Sequence, residues 1–240
     1  ELVIVIGQNP GTNHPRMLSA LRNTKDAGGK IISVNPLPEA GLVSFKDPQK
    51  PLEWVSSGTN LTDLYVPIRI NGDLSFLKAV NYLLNQKEKS DPNSQFDWDF
   101  INSKTAGFED FINDVNNQDF NELVKNSGVG VDVIKNAADL IGKKKKIIVC
   151  WAMGLTQHKN GVANIQEIVN LLLLKGSVGK KGAGTCPVRG HSNVQGDRTM
   201  GIWEKPPLSF LNKLGSVFDF TPPTNHGYDV VESIKAMYEN

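Results

Sequence analysis

The stretch "ELVIVIGQNPGTNHP" (residues 1–15) carries the fold assignment. Leu2–Ile6 is a continuous aliphatic run, rich in β-branched residues, that stops at Gly7. A strand with one wet face alternates apolar and polar residues. One that is apolar throughout is buried on both faces, as in a parallel sheet covered by helices. "GQNPGTNHP" (7–15) then supplies turn residues, and Pro15 suits the first turn of a helix that runs to about Lys25 and ends at "DAGGK" (26–30). Lys30–Val34 repeats the buried-strand pattern and is stopped by "NPLPEAG" (35–41). The spacing predicts a β-α-β unit, hence parallel strands and a right-handed crossover.

Residues 43–62 carry Pro, Gly, Ser and Lys without period and read as a loop excursion. "LYVPIRI" (64–70) predicts a short third strand. Asp73 is placed as the N-cap of a helix over 74–86, where Leu74, Leu77, Val80, Leu83 and Leu84 form one apolar stripe. "KEKSDPNSQ" (87–95) reads as a polar linker. Short helices are expected at Gly107–Val115, Asp119–Asn126 and Val131–Ile141. The lysine run Lys143–Lys146 is a solvated turn before a buried strand at Ile147–Trp151, and a further helix covers Val162–Lys175. Beyond Gly176 regular pattern is lost until "VVESIKAMYE" (230–239). The fold class is therefore α/β: a parallel sheet with helices on both faces and a helical insertion at 91–142. A first domain spans 1–200, and residues 201–240 open a neighbouring one.

Bulk properties exclude several classes. The chain of 240 residues is 39% hydrophobic and 21% charged, an ordinary globular composition. Lys plus Arg number 26 against 25 acids, so no global field argues for nucleic acid or a membrane surface. No apolar run approaches the roughly 18 residues of a transmembrane helix. Cys150 and Cys186 form no CxxC pair and cannot alone build a disulfide scaffold or a zinc or iron–sulfur site. The start in mid-strand, without an initiator Met or basic leader, reads as a piece of a longer chain.

In open parallel sheets, ligands bind beyond the carboxyl ends of the strands. "GQNPGTNHP", "NPLPEAG" and "MGLTQHKNG" (153–161) follow buried strands, and "RINGD" (69–73) precedes a helix, so all four gather at one rim. Their Gly, Asn, Thr and Gln favour backbone approach and neutral hydrogen bonds over metal ligation. The set suits a nucleotide-like ligand, or simply makes strand-to-helix turns. The first loop is not G-x-G-x-x-G, and no G-x-x-x-x-G-K-[ST] occurs. In "CPVRGHSNVQGDR" (186–198), Arg189 and His191 would face the same side of an extended segment, which suits a carboxylate-sized substrate. Equally, Arg189 pairs with a structural acid while His191, Asn193 and Gln195 satisfy loop backbone.

"GQNPGTNHP" and the block from "MGLTQHKNG" to "CPVRGHSNVQG" resemble the molybdopterin oxidoreductase superfamily, and within it the formate dehydrogenase-like catalytic subunits, over residues 1 to about 201. The resemblance implies a Rossmann-like domain gripping one molybdopterin guanine dinucleotide of a molybdenum or tungsten centre. The implied function is two-electron oxidation or reduction of a small, anionic substrate. Gly7, Asn9 and Pro10 would shape the loop at the phosphates or ribose, Asn35 and Pro36 the guanosine position, and Asn71, Gly72 and Asp73 the same nucleotide end. Met153, Gly154 and Gln157 would lie on the pterin side. Arg189 matches the arginine that holds the substrate carboxylate, and His191 stands beside it as a second catalytic residue. No metal ligand falls in this chain. The family's iron–sulfur cysteines and molybdenum ligand would lie upstream, so the ligands of any [4Fe-4S] cluster fall outside this chain, and the 240 residues alone are expected to be inactive. Partners implied are a small-molecule substrate and an electron-transfer protein, with no nucleic acid and no membrane, in the cytoplasm. A non-catalytic structural subunit of the same fold is the alternative. Two departures stand out. Formate dehydrogenases typically read R-G-Q-N-N-V-Q-G where this chain reads R-G-H-S-N-V-Q-G, so His191 replaces an amide and puts formate itself in question. Asn35 and Leu37 stand where the family often has an acid and a basic residue.

Overall fold

The computed structural model describes residues 1–53, 55–191 and 193–239. Trp54 of the 43–62 excursion and Ser192 of the arginine motif lie outside the described residues, as does Asn240. In chain order the elements are β1 (Leu2–Ile6), α1 (Pro10–Asn13), α2 (Pro15–Asp26), β2 (Lys30–Asn35), α3 (Ala40–Val43), β3 (Leu64–Pro67) and α4 (Asp73–Ser90). There follow α5 (Trp98–Lys104), α6 (Phe108–Asn116), α7 (Phe120–Ser127), α8 (Val131–Gly142), β4 (Ile147–Trp151), α9 (Met153–Thr156), α10 (Gly161–Leu174) and β5 (Gly184–Pro187). The last three are α11 (Val194–Thr199), α12 (Leu208–Phe218) and α13 (Val230–Glu239).

All strand pairs are parallel, in the order β3-β2-β1-β4-β5. β1 lies at the centre, with Leu2 opposite Lys30 on one side and Ile147 on the other. Its side chains split between two apolar layers, as the two-residue period of a strand requires. Leu2, Ile4 and Ile6 enter a layer built with α4, α8 and α10, through residues such as Leu84, Ile134 and Ile168. Val3 and Val5 enter the other, with Leu18 and Leu21 of α2 and with Leu42, Phe45 and Leu61. Helices thus cover both faces, as the uninterrupted apolar strands predict.

Several local expectations change. Asp73 is the first helical residue of α4, not its N-cap; that position is taken by Gly72, whose backbone N–H and carbonyl close the turn onto Arg69 and Phe76. The chain beyond Gly176 is more regular than its pattern implies, since β5, α11 and α12 all form there. Short, Gly- and Pro-containing segments carry too few periodic positions to be read as elements. The chain divides into two compact units, Glu1–Val188 and Arg189–Asn240. Among the described residues no helix is long and apolar enough to cross a membrane.

Candidate functional site

The order of strands reverses between β1 and β4, because the chain first builds outward through β2 and β3 and then returns to the other side of β1. At such a reversal the loops leaving the two central strands diverge and open a crevice. Here it is a cleft of about 410 Å³ whose walls come from the loops after β1, β2, β3 and β4. Of the residues singled out in the sequence, it gathers Gly7, Asn9, Asn35, Pro36, Asp73, Met153, Gly154 and Gln157. Pro10, Asn71 and Gly72 do not line it. Pro10 is buried at the first position of α1, where a missing N–H costs nothing. Asn71 is exposed in a left-handed conformation (φ 66°), and Gly72 backs onto the Ser127 carbonyl, which a Cβ would approach to 2.6 Å. Both shape the turn that presents Asp73.

Close backbone contact forms the floor of the cleft. Gly7 has φ +59°, a left-handed conformation that glycine adopts without strain. Its N–H donates to the Val34 carbonyl at 3.1 Å, and its carbonyl accepts from the Gly154 N–H at 3.2 Å. A Cβ on Gly154 would lie 2.6 Å from that carbonyl, and one on Gly7 would lie 2.8 Å from the Leu155 nitrogen. The two loops therefore meet glycine to glycine.

Asn35, at the end of β2, uses its whole side chain on the neighbouring loop. Its Oδ1 accepts from Gln8 N–H at 3.1 Å, and its Nδ2 donates to the Gln8 carbonyl at 2.9 Å. Its own carbonyl accepts from the Tyr65 hydroxyl at 3.0 Å. Asn9 caps α1 by accepting from the Thr12 N–H at 3.1 Å, and its amide donates to Glu39. Composition pointed to these loops; that Asn35 and Asn9 are held by partners rather than left loose is a product of the fold.

Residues the sequence reading missed also line the cleft: Gln8, Glu39, Ile68, Ile70 and His158. Gln8, Ile70 and His158 adjoin residues already singled out, and Glu39 and Ile68 lie three positions from one, so the loops were legible but the individual side chains were not separable. Gln8 is buried, and its Oε1 is a buried acceptor without a protein partner, while its Nε2 donates to the Met17 sulfur at 3.2 Å. Asp73 is buried too. Burial pushes its carboxyl above the ordinary range, offset in part by its own backbone N–H and by the charge of nearby His158.

The polar set is one of amides, two carboxyl groups and the His158 imidazole, with no Lys or Arg among the cleft residues. Amides and carboxyls suit base N–H groups and ribose hydroxyls, and the orphaned Gln8 acceptor asks for a donor. Backbone exposed at the glycines suits close approach of a ligand. The cleft accordingly fits the nucleotide part of a dinucleotide, and among the described residues no group of three or more His, Cys, Asp or Glu stands ready for a metal ion. Arg189 and His191 belong to the second unit, where both are exposed.

Strand order, crevice and glycine-lined loops together define an open, parallel α/β fold with a cleft at its strand-order reversal. Within that class the family follows from comparison with known proteins. The molybdopterin oxidoreductase family matches residues 1–235, and the chain belongs to it. It is 47% identical over 237 residues to an uncharacterized oxidoreductase of Mycobacterium tuberculosis, covering 99% of this chain and 30% of that protein. Formate dehydrogenase H of Escherichia coli is 29% identical over 201 residues, covering 84% of this chain and 25% of that protein. The chain thus spans under a third of the length of these relatives. In structure it resembles acetylene hydratase from Pelobacter acetylenicus, with a TM-score of 0.60 over 75% of this chain and 22% of that one, at 18% identity. That likeness shows a shared fold.

Proposed function

We propose that the chain is the dinucleotide-gripping α/β domain of a molybdopterin-dependent, formate dehydrogenase-like oxidoreductase acting on a small anionic substrate. The observation that carries the reading is the convergence of loops from β1 to β4 on one cleft at the strand-order reversal, in a chain of this family. The group to be held is a molybdopterin guanine dinucleotide with molybdenum or tungsten, which when bound supplies the two-electron chemistry.

This chain's own residues bind and orient. Gly7 and Gly154 let the β1 and β4 loops meet backbone to backbone under the place where the cofactor would lie. Asn35 fixes the Gln8 backbone, and the Glu39 carboxylate fixes the Asn9 amide, so the loop is organised before anything binds. Asp73 and the Gln8 side chain accept from base or ribose donors. Met153 and Gln157 take the pterin side. Arg189 would hold the substrate anion through charge-assisted, two-pronged hydrogen bonds, and His191 would donate to the substrate or take up its proton. An electron-transfer protein accepts the reducing equivalents. The 240-residue domain alone is expected to show no turnover.

The test uses the whole protein carrying this sequence. Arg189→Ala is expected to lower kcat/KM for small carboxylate-type substrates by about 100-fold or more while pterin and metal content stay at the wild-type level. Unchanged activity refutes the role of Arg189. A correctly folded wild-type protein that purifies without pterin refutes the class of reaction.

A further inference from the structure

The second half of the sheet holds a pair that the cleft does not use. β4 and β5 run parallel with Cys150 directly opposite Cys186, so both side chains leave the sheet on the same face. They enter the apolar layer that contains Val3, Val5 and Leu42. Adjacent strands lie about 4.8 Å apart. That spacing falls within the range of about 4.4–6.8 Å that a disulfide bridges between Cα atoms. Both cysteines are free thiols, side by side and in contact range across the β4–β5 pairing.

The two are not equivalent. Cys150 is buried in the sheet, whereas Cys186 is half-buried on β5, which has a neighbour on one side only. The contact pushes the Cys150 thiol up, with burial adding to it, and draws the Cys186 thiol down because Cys150 donates to it. One sulfur is reachable and inclined to be thiolate, which makes it the nucleophile. The other is sheltered and adjacent, which makes it the resolving group.

We propose that Cys150 and Cys186 form a redox modification site, which hydrogen peroxide or an organic hydroperoxide oxidises to a disulfide bridging β4 and β5. The Cys186 sulfur attacks the peroxide, the O–O bond breaks, and a sulfenic acid forms as water or an alcohol leaves. The Cys150 sulfur then attacks the Cys186 sulfur, the S–O bond breaks, and the departing oxygen leaves as water with the Cys150 proton. In total two thiols lose two electrons and two protons, and one peroxide is reduced. Side-by-side positions on parallel strands hold Cβ atoms farther apart than the roughly 3.8 Å a relaxed disulfide prefers. The bridge therefore draws the strands together and is readily reduced by a small thiol, which makes it a reversible mark rather than a structural staple. Met153 stands three residues beyond Cys150, and Arg189 three beyond Cys186, so the bridge forms at the roots of two segments singled out for function. The proposal stands on the sheet register and does not depend on the cofactor reading.

Peptide mapping tests it. The protein is treated with hydrogen peroxide, blocked with iodoacetamide under denaturing conditions and digested with trypsin without reduction. Peptide 147–159 is expected joined to peptide 182–189, with both thiols lost together and both recovered after dithiothreitol. Cys150→Ser is expected to leave Cys186 as sulfenic or sulfinic acid, and Cys150→Ala serves the same purpose if the serine is not tolerated in the apolar layer. Cys186→Ser is expected to leave Cys150 unoxidised. Wild-type protein in which Cys186 reaches sulfinic acid while Cys150 remains fully alkylated overturns the proposal, as does a disulfide formed only between molecules.

Discussion

The glycines of the cleft act through what they lack. Gly7 was legible in the sequence as the stop of a buried strand, and its left-handed φ explains why the strand ends there. Gly154 was singled out by resemblance alone; only the structure shows that it faces the Gly7 carbonyl with no room for a Cβ. Gly154→Val is therefore expected to lower stability by roughly 1–3 kcal/mol, because backbone on backbone cannot yield as a flexible side chain can. Urea denaturation measures this, and a midpoint equal to wild type would mean that the β1 and β4 loops can separate freely. Asn35 teaches a related point. Its residue type marked a polar loop, yet both ends of its amide serve Gln8, so its part in any ligand contact is to hold that backbone in place.

At the scale of elements, α4 shows where pattern reading succeeds and where it stops. The apolar stripe predicted its existence and type. Phe76, Leu77, Val80 and Leu84 are buried in the layer under the sheet, whereas Leu74 and Leu83 are only partly buried. The helix also runs four residues past the predicted end at 86, to Ser90, and buries Asn81, Asn85 and Glu88. The sequence pattern places Glu88 in a polar linker. Its carboxylate in fact organises the turn into α5, accepting from the N–H groups of Asn93 (2.6 Å), Gln95 (2.7 Å) and Phe96 (3.1 Å) and from the Trp98 indole N–H (2.7 Å). Burial alone raises its carboxyl, but these four donors outweigh it and hold the group below its ordinary value of 4.5. A depressed folded-state value means that the stabilisation is present above the unfolded-state value and is lost as pH falls toward the folded one. Glu88→Gln is expected to cost about 2–4 kcal/mol near pH 7. The gap from wild type should narrow as pH falls below about 4.5. Urea denaturation across a pH series measures both, and a gap independent of pH would show that the charge of Glu88 is immaterial.

For the whole molecule, the two units differ in how they bury their residues. β1, β2, β4, α4, α8 and α10 supply the apolar layers of Glu1–Val188, whereas none of the described residues from Arg189 to Glu239 is buried. Helices without buried apolar contacts open locally at little cost. Amide hydrogen exchange is expected to be fast throughout α12 and α13 and slow by at least a hundredfold in β1, β4 and α10. Equal protection in both sets would contradict this. The parallel α/β architecture and the helical insertion follow from the sequence, because burial on two faces and helical period are written into neighbouring residues; membership of the molybdopterin oxidoreductase family was legible only as a resemblance of whole motifs. Tertiary structure alone decided that β5 is an edge strand, that Asn35 clasps Gln8 and that Cys150 lies beside Cys186. Each of these depends on which distant segments come to lie side by side. That choice is made by closing the whole core over long loops, and no local period records it.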